Sequence, residues 1–224
     1  MEKKEYHIKY CSSLHSAVKN LNSAEWNSAQ TALIAEVRPE SRGEIPMVKA
    51  RLMYGKEGIG GAFYVENEIP VCTHLENMSR VWEDSCVEFF VKPEKEKGYF
   101  NFEFNCLGYL YASYIIDPEV DENGFKEFIP FEIEDCGSIE VYPSLKETGD
   151  KSPLNWSLQF YIPINIIEKY AGAVSVPYKD WECNFYKCAD KSANPHWAAW
   201  SPVKELNFHA PECFGKIIFE EREN

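Results

Sequence analysis

The residues best able to do chemistry in this 224-residue chain are tryptophans at segment ends and carboxylates a few positions apart. Trp82 stands just ahead of a short apolar run, and Trp197 and Trp200 fall in a stretch bounded by Pro195 and Pro202 that reads as a loop. An indole in such a place can offer a flat face to the C–H groups of a sugar ring while the hydroxyls seek polar neighbours. The plainer reading makes these tryptophans core. Glu83, Asp84, Glu88 and Glu103 could supply the protonated and ionised carboxylates that glycoside hydrolysis needs. With 36 of 224 residues acidic, however, several close together are expected by chance.

Other chemistries find less support. No C-x-x-C occurs among the eight cysteines, and Cys183 with Cys188 makes one weak pair rather than half of a zinc site. In a chain this long, Cys86 and Cys106 read as free thiols that pack like small hydrophobes. The five histidines, His7, His15, His74, His196 and His209, show no ligand-like spacing. Nor does a glycine-rich loop join a strand to a helix, as nucleotide binding would want.

Against 36 acidic residues stand 23 basic ones, a formal charge of -13 that argues against nucleic acid and anionic membranes. A neutral ligand, a cation such as calcium or a protein partner stays open. The N-terminus lacks a signal-like apolar run, and no window approaches ~18 consecutive apolar residues. The expected location is therefore cytoplasmic, or extracellular or periplasmic if an export signal is processed.

The elements that would position these residues are mostly strands. Phe100, Phe102, Phe104 and Cys106 alternate with Tyr99, Asn101, Glu103 and Asn105, so the two sets point to opposite faces. Leu154, Trp156, Leu158, Phe160 and Ile162 repeat the pattern, and residues 31–37, 47–54, 85–91, 109–116, 184–187 and 217–219 are of strand length. Ser23 reads as the cap of a short helix at Trp26, and residues 164–170 as about two helical turns. Residues 55–61 read as a hairpin connection whose glycines supply positive φ, and residues 117–124 as an acidic loop. Many short strands with no β-α-β alternation predict an all-β fold: one domain over residues 1–224, an antiparallel sandwich or jelly roll with short helical connections.

Several segments resemble the family nine carbohydrate-binding modules, in particular a bacterial, xylanase-associated group. The run Trp82-Glu83-Asp84-Ser85-Cys86-Val87-Glu88-Phe89-Phe90-Val91 looks like their W-x-x-D/S-x-V-E-x-F segment. Tyr99-Phe100-Asn101-Phe102-Glu103-Phe104-Asn105, Asn184-Phe185-Tyr186, Trp200-Ser201-Pro202 and the stretch from Asn207 to Ile217 follow in the family's order. The similarity runs from about residue 25 to the C-terminus.

The resemblance implies a non-catalytic β-sandwich that takes part in polysaccharide catabolism of the xylan type, often beside a glycoside hydrolase. It implies a terminal sugar ring held between two tryptophans, matched by Trp82 and Trp200, with Glu88 as an acceptor for sugar hydroxyls. An ionised carboxylate is acceptor-only and suits that role. Glu103, Asn105, Asn184 and Tyr186 complete the set of expected hydrogen-bonding partners. Glu103 takes the place of a family arginine, removing a planar two-pronged donor. No cofactor is expected, although some family members hold structural calcium. The acidic stretch 117–121 could supply oxygen ligands or form an ordinary solvated turn. Two readings from other classes stand beside this one: a glycoside hydrolase using Glu88 and Glu103, and a protein-interaction scaffold whose tryptophans are core.

Overall fold

The computed structural model describes residues 3–94, 98–121, 124–149, 151–174 and 178–221. Its strands are β1 (Glu5–Tyr10), β2 (Ala32–Leu33), β3 (Glu36–Val37), β4 (Met47–Tyr54), β5 (Gly58–Glu68), β6 (Cys86–Lys92), β7 (Tyr99–Asn105), β8 (Leu110–Asp121), β9 (Gly124–Pro130), β10 (Glu140–Pro143), β11 (Leu154–Pro163), β12 (Glu182–Cys188), β13 (Trp197–Ala199) and β14 (Gly215–Phe219). Four short helices connect them: α1 (Leu14–Val18), α2 (Glu25–Ser28), α3 (Ile133–Cys136) and α4 (Ile164–Ala171). Among the described residues no helix is long and apolar enough to cross a membrane.

The strands pair in the order β10-β11-β5-β4-β1-β14-β12-β6-β7-β8-β9. The pairing is antiparallel except at β1, which runs parallel to both neighbours. Residues 5–8 of β1 pair with β14, and Lys9 and Tyr10 pair with β4, so one strand passes from one sheet into the other. The fold is the expected all-β sandwich with a mixed seam. Phe89 of β6 and Phe104 of β7 stack on Phe160 of β11 at centroid distances of 5.7 and 5.0 Å, and such offset aromatic pairs add to the stabilisation from apolar burial.

Period-two side-chain alternation accounts for the two sides of β7. Phe100, Phe102 and Phe104 enter the inter-sheet core, while Asn101, Glu103 and Asn105 point the other way and are nevertheless buried. Something therefore covers the outer face of this sheet.

Local expectations need four corrections. The glycines at 58, 60 and 61 lie inside β5, not in its hairpin turn, and their use is close packing: a Cβ on Gly61 would meet the Phe160 ring at 2.2 Å. The acidic stretch beginning at Asp117 continues β8 and turns into β9. Asp117 and Glu119 both pair with Lys126, at 3.1 and 3.0 Å. Residues 122–123 and the Asp121 side chain of that stretch lie outside the described residues. Ser23 does not cap α2: Ala24 occupies that position, and the Ser23 hydroxyl bonds Glu25. Trp197 belongs to β13 rather than to a loop, because residues 197–199 pair with β12, and Ala198 and Ala199 also with β3.

Candidate functional site

The cover over the outer face encloses a pocket of about 410 Å³, within the range typical of small-molecule sites. Its floor is the polar side of four adjacent strands, β12, β6, β7 and β8. Glu88 of β6 is directly opposite Glu103 of β7, and Asn101, Tyr111 and Cys188 complete the surface. Two half-buried indoles line the same pocket: Trp82 from a 3-10 turn at Val81–Glu83, and Trp197 from β13. Residues 206–209 and Phe125 close its remaining side.

Each wall is held by its own contacts. Asp84 is fully buried, and its carboxylate accepts bonds from the Thr73 and His74 amides, the Thr73 hydroxyl and the Asn105 amide, which fixes the turn presenting Trp82. The Trp82 ring meets Tyr111 edge-on at 5.2 Å. The indole N–H of Trp197 donates to Asp190 at 2.7 Å. Phe208 stacks on Tyr186 at 4.1 Å, and the Tyr186 hydroxyl donates to the Phe208 carbonyl.

The floor is acidic and dry. Burial pushes Glu88 up to about 8, an effect opposed by the bond from the Cys188 thiol to its Oε1. Burial and the nearby Glu88 carboxyl raise Glu103 well above the usual carboxylate range. Glu103 Oε1 accepts from Asn101, whereas Oε2 has no hydrogen-bond partner among the described residues. His209 is held down to about 3 by burial, so it is neutral where its Nδ1 meets the Tyr99 hydroxyl. Among the described residues no lysine or arginine lines this pocket. The floor thus offers hydroxyl and amide partners between aromatic walls, a combination suited to a neutral, hydroxyl-rich ring.

Residues 20–219 match the sequence profile of carbohydrate-binding family 9. The chain belongs to that family. No curated protein matches this family 9 chain. Among solved structures, a candidate carbohydrate-binding protein from Bacteroides uniformis is 27% identical with a TM-score of 0.81, over 98% of this chain and 100% of that one. Two structures of a family 9 module from Caldicellulosiruptor kristjanssonii, in complex with cellotriose and with glucose, are each 14% identical. Their TM-scores are 0.62 and 0.63, over 99% of this chain and 96% and 98% of theirs, and at that identity they show the fold alone.

Of the seven residues expected to touch ligand, Trp82, Glu88 and Glu103 line the pocket of this family 9 chain, and four do not. Trp200 is 6% exposed and packs edge-on against Tyr6 and Phe185 in the inter-sheet core. It lies three positions after Trp197, an odd offset, so the alternation of an extended chain sends the two indoles to opposite faces. Asn105 caps the turn after β7, its amide carbonyl accepting from the Leu107 and Tyr109 amides. Asn184 clamps the Ser201 backbone through both its amide oxygen and nitrogen. Tyr186 supports the cover from below. Asn101, Tyr111, Asp190 and Trp197 are among the lining residues outside the expected set, Trp197 having been singled out by type but not assigned to the ligand; Asn101 shares the alternation that placed Glu103.

Proposed function

We propose that the pocket binds one terminal sugar ring of the glucose type, with Trp82 and Trp197 as its apolar walls and Glu88, Glu103 and Asn101 bonding its hydroxyls. The observation that carries this reading is two half-buried indoles, from separate elements, lining one pocket whose floor is polar. Family membership and the sugars bound by the Caldicellulosiruptor module support it. The module's role would be to hold a glycan end during polysaccharide breakdown, beside a hydrolase carried elsewhere. Catalysis by Glu88 and Glu103 fits less well, because a retaining or inverting pair needs one ionised carboxylate and burial raises both.

Calorimetry with glucose, cellotriose and xylotriose tests the proposal. Micromolar to millimolar dissociation constants, roughly 4 to 8 kcal/mol, are expected. Trp82→Ala and Trp197→Ala should each weaken binding at least tenfold, while Trp200→Phe, which changes the core instead, should leave it within twofold. Absence of binding to all three sugars, or release of reducing ends that Glu88→Gln abolishes, would overturn the reading.

A further inference from the structure

At the pocket floor Glu88 stands beside two buried thiols that sugar recognition does not use. Cys86 and Glu88 are two apart on β6 and so share a face, and Cys188 on β12 is the direct partner of Cys86 across the antiparallel ladder. All three are buried, and one ligand atom from each, the two Sγ and a Glu88 oxygen, lie within 4.8 Å of one another. The Cys188 thiol is 2.8 Å from Glu88 Oε1. Atoms bound to one tetrahedral zinc ion at about 2.3 Å for sulfur and about 2.0 to 2.2 Å for oxygen are about 3.5 to 3.8 Å apart, so the three groups need to draw together by about 1 Å at most.

We infer that Cys86, Cys188 and Glu88 form a binding site for a thiolate-preferring divalent cation, zinc in the first instance. Two sulfurs and one oxygen select zinc over calcium or magnesium, which take oxygen-only shells. Glu88 and Cys188 also line the pocket, so the fourth tetrahedral position opens to it and takes a water. Asp190 and Glu103 line the same pocket. The buried Lys187 next to Cys188 in sequence is engaged by Glu68 on the opposite side of β12. Binding converts each Cys–SH to a zinc-bound thiolate and the Glu88 carboxyl to a carboxylate, releasing their protons to solvent, so affinity rises with pH. Glu88 coordinates through Oε1 and keeps its second oxygen. The inference does not depend on sugar binding.

The test uses the full chain, purified under reducing conditions, stripped with chelator and titrated with zinc against a chromogenic chelator. One zinc per chain is expected, at least tenfold tighter at pH 8 than at pH 6. Cobalt in its place should give an intense sulfur-to-cobalt charge-transfer band together with the visible absorption of a tetrahedral site. Cys86→Ala and Cys188→Ala should each weaken zinc binding at least a hundredfold, whereas Cys183→Ala, a buried thiol outside the cluster, should not. If either cysteine variant is poorly folded, the cobalt spectrum of the unsubstituted protein decides. No zinc uptake at micromolar concentration, a cobalt spectrum without the sulfur band, or binding indifferent to both cluster variants overturns the inference. Loss of sugar binding with zinc uptake intact would count only against the proposed function.

Discussion

Glu88 shows most directly how placement changes what a residue can do. Its position six residues after Trp82 is enough to suggest a hydroxyl acceptor, but only the sheet reveals that it faces Glu103, accepts from a thiol and is dry. Its carboxyl is raised from the unfolded range near 4.5 to about 8, so the unfolded chain is the better acid. The stability this group contributes is fully present below about pH 4.5 and is lost as pH rises through 8. Metal-free protein should therefore show a fall in melting temperature between pH 5 and 8.5 that is measurably shallower in Glu88→Gln. Equal slopes would mean that Glu88 is not buried. Trp197 gives the complementary lesson at this scale. Both Trp197 and Trp200 look suitable in sequence, and the odd offset between them at the end of β13 sends Trp197 to the pocket and Trp200 to the core.

At the scale of elements, β7 and β11 were legible because their alternation is long and clean, and α4 because its buried residues recur at helical spacing. The strands β1, β10 and β13 were not, since short runs carry little periodic signal and are stabilised by the partners they meet. The β5 glycines show the same limit. Read locally they signal a turn, yet Gly61 is paired with Phe160, whose ring fills the space a side chain would need. Gly61→Ala should cost about 1 to 3 kcal/mol by overpacking, read as a lower urea midpoint at unchanged slope. Adding Phe160→Leu should cost less than the sum of the two single changes, because the smaller side chain relieves the clash.

Across the whole molecule, the sheets are joined by more than apolar contact. Glu68 at the end of β5 and Lys187 of β12, one from each sheet, form a buried ion pair at 2.8 Å. The Glu68 carboxylate also accepts from the Trp156 indole and the Ser85 hydroxyl, so both of its oxygens are satisfied. Removing one charge from such a pair leaves the other buried and uncompensated. Lys187→Met should cost about 3 to 5 kcal/mol in chemical denaturation, and the double variant with Glu68→Gln should recover much of it. If Lys187→Met is no less stable than the parent, the pair is not the clamp its geometry describes. The parallel seam at β1 belongs to this scale too, since residues 5–8 and 9–10 serve different sheets.

Sequence alone determined the class of fold, the faces of its long strands and the segment carrying Trp82 and Glu88, because side-chain periodicity and short motifs are local properties. Its net charge also set the expectation that polyanions are poor partners. Tertiary structure alone decided that Trp197 lines the pocket, that Asn105, Asn184 and Tyr186 support it without lining it, and that Cys86, Cys188 and Glu88 converge. Those outcomes depend on strand parity and cross-strand register, which bring residues some hundred positions apart within bonding distance and leave no trace in either segment taken by itself.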